Sequence, residues 1–188
     1  MFMNRNNVGV FLLLWALFLA VPLSAAQLRL HHSFDESLLE GDLLHAEVGA
    51  YSATLRNGAQ VQSLGAFRIL NLGASNGYLD LGAAAGGLMG QLQDFTLATY
   101  LYVPAETDVS VHGNFVWNFG HSTDVANAAN GVMFFSARGS RYAISETHWQ
   151  GEEGVNPNFL FPKGAWQHLV YTQEGATGTI YLNGTVVG

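Results

Sequence analysis

Carboxylates and histidines are the side chains of this sequence that could do chemistry. Two carboxylates that alternate along one strand share a face, and a pair about 5–5.5 Å apart is the arrangement of a retaining glycosidase. The 14 acidic residues form no Glu-x-Asp-x-Glu run, and the nearest candidates are Glu146, Glu152 and Glu153. The last two fall in a predicted loop, and the serine-nucleophile motif Gly-x-Ser-x-Gly is absent as well. We therefore predict no catalytic residues.

The seven histidines could hold a metal ion if their spacing brought them together. His31 and His32 are adjacent on a predicted strand, so their side chains point to opposite faces. The remaining five are isolated in the sequence: His45, His112, His121, His148 and His168. No spacing typical of zinc ligands is present, and the chain has no cysteine. The sequence therefore predicts no histidine-based metal site.

Aromatic side chains on the strand predicted for residues 94–103 are better candidates for binding. Apolar residues such as Phe95 and Leu101 fall on one face of this strand, and Tyr100 and Tyr102 fall on the other. If the first face contacts the core, the two tyrosines point outward. Exposed aromatic rings stack on the C–H groups of sugars, and clustered exposed aromatics usually mark a contact surface.

The same argument from strand alternation adds residues from two later strands. Phe115, Trp117 and Phe119 share one face of the strand predicted for residues 114–119, and Asn118 points away from it. Trp117 is predicted to be in the core together with Trp166. If Tyr142 and Ile144 face the core, the outward residues of the following strand are Arg141, Ser145, Thr147 and Trp149. The predicted ligand-binding face consists of Tyr100, Tyr102, Asn118, Arg141 and Trp149. An equally good interpretation is that loops cover these side chains, which then simply pack.

The elements that must position these residues are short strands joined by glycine-rich turns, without the alternation of strands and helices that a parallel sheet requires. The clearest example is the final stretch, Lys163–Gly188. Asn183-Gly184 predicts a two-residue type I′ hairpin, because both residue types tolerate positive φ. Residues 28–36 alternate as a strand, and residues 83–92 support at most one helical turn, given their glycines.

The final stretch resembles laminin-G-like jelly-roll domains of the concanavalin A-like lectin/glucanase superfamily. The matching residues are Gly164, Trp166, His168, Tyr171, Thr172, Gly178, Tyr181, Asn183 and Gly184. A strand ending in Phe-Asp-Glu near the start and a Gly-Tyr-Leu-Asp-Leu segment extend the likeness. The resemblance implies an all-β fold, a two-sheet antiparallel β-sandwich of the jelly-roll type. It also implies closing strands beyond the hairpin, so we expect residues 27–188 to be a C-terminally truncated domain.

The resemblance also bears on cofactors. It allows a structural calcium ion, with Asp35 as the first residue to watch, since calcium takes carboxylate and backbone oxygens. The loop that often supplies such oxygens in the family is replaced here by Leu43–Gly49, which weakens the case. We therefore predict no cofactor, with calcium as the alternative.

The first 26 residues predict export. Arg5 provides a positive start, Val8–Val21 is almost unbroken apolar sequence, and Ser24-Ala25-Ala26 offers small residues for cleavage after Ala26. Removal of this signal peptide leaves six basic and fourteen acidic residues, a net charge of −8. An acidic domain without a basic stripe is not expected to bind nucleic acid or to insert into membranes.

These observations favour a secreted or cell-surface, noncatalytic module that binds carbohydrate or mediates adhesion, as part of a larger extracellular protein. Its partner would be a glycan or an extracellular protein surface. The first alternative is a structural or protein-interaction domain that binds no sugar. The second is a glycoside hydrolase of the concanavalin A-like fold.

Overall fold

A computed structural model gives the architecture of most of the chain. It describes residues 26–73, 76–111, 114–120, 132–145 and 151–188. The predicted signal peptide therefore lies outside the described residues, except for Ala26. Within the described residues, no helix is both long and apolar enough to cross a membrane.

The described residues form fourteen strands, one α-helix and two 3₁₀ turns. The helix is α1 (Gly82–Met89), and the 3₁₀ turns are Glu36–Leu38 and Arg138–Ser140. The strands are β1 (Leu39–Glu40), β2 (Leu43–His45), β3 (Ser52–Arg56), β4 (Gln60–Leu64), β5 (Phe67–Asn71), β6 (Tyr78–Asp80), β7 (Phe95–Tyr102), β8 (Phe115–Gly120), β9 (Val132–Ser136), β10 (Arg141–Ser145), β11 (Glu153–Val155), β12 (Trp166–Glu174), β13 (Thr177–Leu182) and β14 (Thr185–Val186).

The strands form three four-stranded sheets and one hairpin, and every pairing between them is antiparallel. We call β1-β2-β3-β6 the N-terminal sheet, β11-β10-β9-β8 the central sheet and β14-β13-β12-β7 the C-terminal sheet. The hairpin is β4–β5. The predicted all-β fold is confirmed: the sheets are those of a β-sandwich of the jelly-roll type.

The core lies between the central and C-terminal sheets and is largely aromatic. Tyr142 of β10 stacks on Tyr171 of β12 with ring centroids 3.8 Å apart, and Trp117 of β8 lies 6.3 Å from the same tyrosine. Phe135 and Phe161 are almost fully buried in the same cluster. The predicted core position of Trp117 is therefore confirmed. Because these residues point inward from both sheets, the alternate residues of each strand point away from the sandwich.

The predicted hairpin turn at Asn183-Gly184 is confirmed. Both residues have positive φ, 51° and 80°, and the two-residue turn joins β13 to β14. The Asn183 side chain also accepts a hydrogen bond from the backbone N–H of His168 at 2.9 Å and donates one to the Gln167 side chain at 2.7 Å. The turn is thus fastened to the beginning of β12 by its own asparagine.

Near the start of the chain the structure departs from the sequence prediction. The strand predicted for residues 28–36 does not form, and of these residues only His31 pairs, through an isolated bridge to Val48. Phe34 has a φ of 60°, which interrupts the extended chain, and Glu36 already begins a 3₁₀ turn. An alternating pattern makes a strand only where a partner continues the ladder, and here the partner ends after one bridge. The helix α1, with eight residues, is longer than the single turn predicted.

A β-bulge in β8 changes the direction of one predicted core residue. The register against β9 shifts between Phe115 and Trp117, so Val116 is the extra residue. Phe115 consequently contacts Phe134, at 5.0 Å between centroids, whereas Trp117 contacts Phe135 at 6.0 Å. Successive residues of β9 point to opposite faces, so the prediction that Phe115 and Trp117 share a face is wrong.

Candidate ligand-binding surface

Strand β7 shows the alternation predicted for it. Its residues are half-buried and exposed in turn along all eight positions, with Phe95 and Leu101 facing the core. Tyr100 is 69% exposed and Tyr102 is 46% exposed. The predicted outward direction of both tyrosines is confirmed.

The neighbouring strand β12 adds two more rings to this surface. Trp166 is paired with Tyr102, and His168 is paired with Tyr100. Trp166 is 45% exposed, so the prediction that it lies in the core is wrong. In β12 the core-facing residues are Leu169 and Tyr171, and a strand period of two places Trp166 on the other face. The sequence itself shows this alternation, since Trp166 has the opposite parity to Leu169 and Tyr171.

The ring geometry shows how the four side chains stand on the sheet. Tyr100 and His168 are stacked, with centroids 4.4 Å apart and planes 17° apart. This separation is close to the spacing between neighbouring strands, about 4.8 Å. The two rings therefore stand side by side on the outer face of the sheet. Tyr102 and Trp166 are tilted by 49° at 5.9 Å, which leaves an open angle between their faces. We call Tyr100, Tyr102, Trp166 and His168 the aromatic strip.

Buried contacts beneath the strip hold β12 in place. The side chain of Tyr171 is 1% exposed, and its hydroxyl donates a hydrogen bond to the side chain of Gln173. Burial raises the pKa of Tyr171, with Tyr142 as the next contributor. The tyrosine hydroxyl occupies space that a Cβ on Gly178 would need, so glycine fits best at this position of β13. Core packing and the Asn183 turn therefore hold β12, the strand that carries Trp166 and His168, in place.

Two other predicted site residues, Asn118 and Arg141, lie on the outer face of the central sheet. Asn118 is exposed and is paired with Phe134, which is fully buried. The guanidinium of Arg141 lies 5.1 Å from the centre of the Phe134 ring and makes two hydrogen bonds with the carboxylate of Glu152. The side chains of this ion pair are 28% and 20% exposed. Arg141 is thus half-buried and already engaged.

The structure does not bring the predicted ligand-binding residues together on one face. Tyr100 and Tyr102 lie outside the C-terminal sheet, and Asn118 and Arg141 lie outside the central sheet, on the other side of the shared core. Trp149 lies outside the described residues, as does Thr147. Whether any of these residues binds a ligand stays a prediction.

The parity argument also fails in part on β10. Tyr142 is buried in the core as predicted, but Ile144 is 43% exposed and Ser145 only 6% exposed. Strand alternation fixes the direction of a side chain, whereas its exposure depends on what covers that face. The sequence carries no simple signal for the cover.

The carboxylates of the described residues were the candidates for a metal site. Asp35 accepts a hydrogen bond from the backbone N–H of Ser37 at 2.8 Å and caps a 3₁₀ turn. That bond lowers the pKa of Asp35. Within the described residues, no three His, Asp or Glu side chains are grouped so that they could hold a metal ion. Glu146, like the loop at 121–131, lies outside the described residues.

Comparison with known proteins identifies the class to which this fold and surface belong. The sequence model of a laminin-G-like family, described as the concanavalin A-like lectin/glucanases superfamily, matches residues 72–188. The chain therefore belongs to this superfamily, as its sequence resemblance indicated. Domains of this kind generally bind carbohydrates or extracellular proteins and are typically extracellular. Searches of the curated proteins and of the solved structures gave no match.

Proposed function

We propose that this chain is a secreted, noncatalytic module that binds carbohydrate or mediates adhesion, and that the aromatic strip is its contact surface. The observation that carries the proposal is the exposure of Tyr100, Tyr102 and Trp166 side by side on one outer face. Large rings that remain accessible next to one another are typical of contact surfaces.

The chemistry of the strip suits an uncharged sugar. Ring faces stack on the C–H groups of a pyranose, while the tyrosine hydroxyls, the indole N–H and the imidazole offer hydrogen bonds to its hydroxyl groups. Along Thr96–Tyr102 and Trp166–Thr172, the outward residues include no Asp, Glu, Lys or Arg. A sulfated or phosphorylated ligand would find no lysine or arginine at these positions, so a neutral glycan is the ligand class that fits best.

The noncatalytic part of the proposal rests on the carboxylates. The sequence has no Glu-x-Asp-x-Glu run, and Glu152 is paired with Arg141. Export rests on the leader sequence and agrees with the typical location of this superfamily.

A second candidate function, binding to a protein surface, is favoured by a different part of the molecule. The hairpin β4–β5 exposes Leu64 by 46% and Phe67 by 74% at its turn. Exposed apolar residues at the end of a hairpin are suited to a protein partner, because they can be buried without disturbing the sheet.

A glycan array probed with the full chain, followed by titration of the best neutral glycan, tests the first proposal. Trp166→Ala removes the largest ring of the strip and is expected to weaken binding by about thirtyfold, the equivalent of about 2 kcal/mol at an aromatic anchor. Phe67→Ala is the matched control, since it removes an exposed ring elsewhere, and it should leave glycan affinity unchanged. Equal affinity of the parent and Trp166→Ala for every glycan bound would contradict the proposal. Loss of binding to an extracellular protein in Phe67→Ala alone would favour the second function.

A further inference from the structure

Asn-Gly pairs are positions at which a side chain of this protein can react with its own backbone. The backbone nitrogen of the glycine attacks the side-chain carbonyl carbon of the asparagine, and the bond to the amide nitrogen breaks with release of ammonia. Water then opens the cyclic succinimide and leaves aspartate or isoaspartate. Glycine favours the attack because it has no Cβ to hinder it. The sequence has four such pairs, at 57–58, 76–77, 130–131 and 183–184.

Two of these pairs occupy turns of nearly the same backbone conformation. Asn57 and Gly58 have φ values of 54° and 82°, and Asn183 and Gly184 have φ values of 51° and 80°. Each pair lies at the centre of a turn, between Arg56 and Ala59 or between β13 and β14. The hydrogen bond that closes such a turn uses the N–H of its fourth residue, so it does not engage the glycine nitrogen. The backbone therefore gives both pairs the same starting point for the attack.

The side chain of Asn183 is held at both of its polar atoms. Its oxygen accepts a hydrogen bond from the backbone N–H of His168 at 2.9 Å, and its amide nitrogen donates one to Gln167 at 2.7 Å. The backbone N–H of Asn183 also donates to the carbonyl of His168 at 2.8 Å. A rotation that brings the side-chain carbon to the nitrogen of Gly184 has to break both side-chain bonds. The reaction is therefore slowed at this turn.

The side chain of Asn57 is held far less firmly. It is exposed, and its amide nitrogen donates to the backbone carbonyl of Asn76 at 3.3 Å, longer than an ordinary N–H···O bond. Within the described residues, no group donates a hydrogen bond to its side-chain oxygen. Rotation toward the nitrogen of Gly58 costs at most this one long hydrogen bond.

The pair at 76–77 differs from both in its packing. A Cβ on Gly77 would collide with the backbone carbonyl of Leu72 and would lie 3.2 Å from the backbone nitrogen of Ala59. Closing the succinimide ring shifts the glycine nitrogen, and here the neighbouring backbone leaves little space for that shift. The pair at 130–131 lies outside the described residues.

We propose that Asn57 is a site of spontaneous deamidation, and that the hydrogen bonds of Asn183 protect the matching turn beside the aromatic strip. Conversion of Asn57 changes the net charge of the full sequence from −7 to −8. It also replaces the amide donor with a carboxylate oxygen, which repels the carbonyl oxygen of Asn76 instead of binding it. That contact joins the two ends of the hairpin β4–β5, so the modified chain loses a link at the base of the hairpin.

Peptide mapping of the full chain after incubation at mildly alkaline pH tests the proposal directly. Trypsin separates Asn57 from Asn183, and tandem mass spectrometry locates each replacement of NH₂ by OH. We expect Asn57 to convert at least about fivefold faster than Asn183, the factor that corresponds to one hydrogen bond of average net strength. Conversion of Asn183 or Asn76 at the same rate as Asn57, or faster, would overturn the assignment.

The same incubation in concentrated urea separates the effect of the fold from that of the neighbouring sequence. Without the folded turns, the rates at Asn57 and Asn183 should become similar. A difference in rate that persists in urea would overturn the protective role of the hydrogen bonds.

Gln167→Met tests that protection at a single atom, because it removes the acceptor for the Asn183 amide while nearly preserving side-chain volume. Conversion of Asn183 in the folded variant should accelerate by about fivefold, and Asn57 in the same sample is the internal control that should not change. An unchanged rate at Asn183 would overturn its protection by Gln167. The measurement requires no glycan, so its outcome is independent of the proposed sugar binding.

Discussion

The two outer faces of the sandwich are built from the same kind of strand but present different surfaces. Outside the C-terminal sheet, Tyr100, Tyr102 and Trp166 remain 45–69% exposed. Outside the central sheet, Phe134 is fully buried, and Arg141 is engaged by Glu152. One face is open and uncharged, whereas the other is covered and contains a half-buried ion pair.

The direction in which a side chain points and its exposure to solvent are therefore separate properties. Strand alternation directs Arg141 and Tyr100 alike away from the shared core. Arg141 is engaged by Glu152, which directly precedes the neighbouring strand β11. Tyr100, in contrast, is largely exposed to solvent. The difference supports the proposed binding at the aromatic strip and a structural role for the ion pair, and the following substitutions test that division.

The largest expected effect is on the free energy of unfolding, and it distinguishes a tryptophan in the core from one on the surface. Trp117→Ala should lower the free energy of unfolding by about 3–5 kcal/mol, because it opens a cavity beside Tyr142 and Tyr171. Trp166→Ala should lower it by less than about 1 kcal/mol, since the indole is already 45% exposed. Denaturant titration of both variants measures the difference. Equal losses of stability would mean that Trp166 belongs to the core after all.

The next effect tests the structural role of the ion pair. Arg141→Met should destabilise the fold by about 1–3 kcal/mol, because it leaves the Glu152 carboxylate half-buried without its cation. The double variant Arg141→Met with Glu152→Gln should recover part of that loss. Thermal melts compare the three chains, and glycan affinity should be unchanged in each. Weaker glycan binding with unchanged stability would move Arg141 from the structural face to the binding site.

A smaller effect tests how the strip is held. Asn183→Ala removes two hydrogen bonds to the beginning of β12 and a residue that tolerates positive φ, and should destabilise the fold by about 1–2 kcal/mol. Because His168 lies directly above, glycan affinity should fall as well. Asn57→Ala alters another Asn-Gly turn, far from the strip in the sheet order, and is the control for which affinity should not change. Equal affinities in both variants would show that the turn does not position the strip.

The smallest expected effect is a dependence of folding stability on pH, caused by the buried imidazole of His32. Burial is the main cause that lowers the pKa of His32, and the neighbouring His31 adds to it. Both ring nitrogens of His32 are shielded from solvent and make no hydrogen bond. The unfolded chain therefore takes up a proton first, at pH values near 6.5, and the fold loses stability as the pH decreases below that value.

His32→Gln removes this titration. The free energy of unfolding of the variant should therefore depend less on pH between about 6.5 and the lowered pKa of His32 in the folded state. The difference in slope cannot exceed about 1.4 kcal/mol per pH unit for one proton. Asn57→Ala, which removes no titratable group, serves as the control and should keep the slope of the parent. Urea titrations at several pH values provide the measurement, and identical slopes for the parent and His32→Gln would rule out the buried imidazole as the cause.

Much of this architecture was readable in the sequence, for physical reasons. The alternation of β7 and the turn at Asn183-Gly184 depend on local pattern and on residues that tolerate positive φ, so they were predicted correctly. The bulge at Val116 and the absent strand at residues 28–36 depend on partners elsewhere in the chain, which no local pattern reports.

Only part of the candidate site could be predicted from the sequence. Tyr100 and Tyr102 followed from alternation, and Trp166 would have followed from the same rule applied to Leu169 and Tyr171. The separation of Asn118 and Arg141 from the tyrosines could not be foreseen, because it depends on which strands share a sheet.

The central claim is that ligand contacts the aromatic strip and not the opposite outer face. Backbone amide NMR of the isotope-labelled chain, titrated with the best glycan from the array, tests it most directly. We predict that the amide chemical shifts change most at Tyr100, Tyr102, Trp166 and His168. The changes at Asn118 and Arg141 should remain small. Shifts concentrated around Asn118 and Arg141, with the strip unchanged, would contradict it.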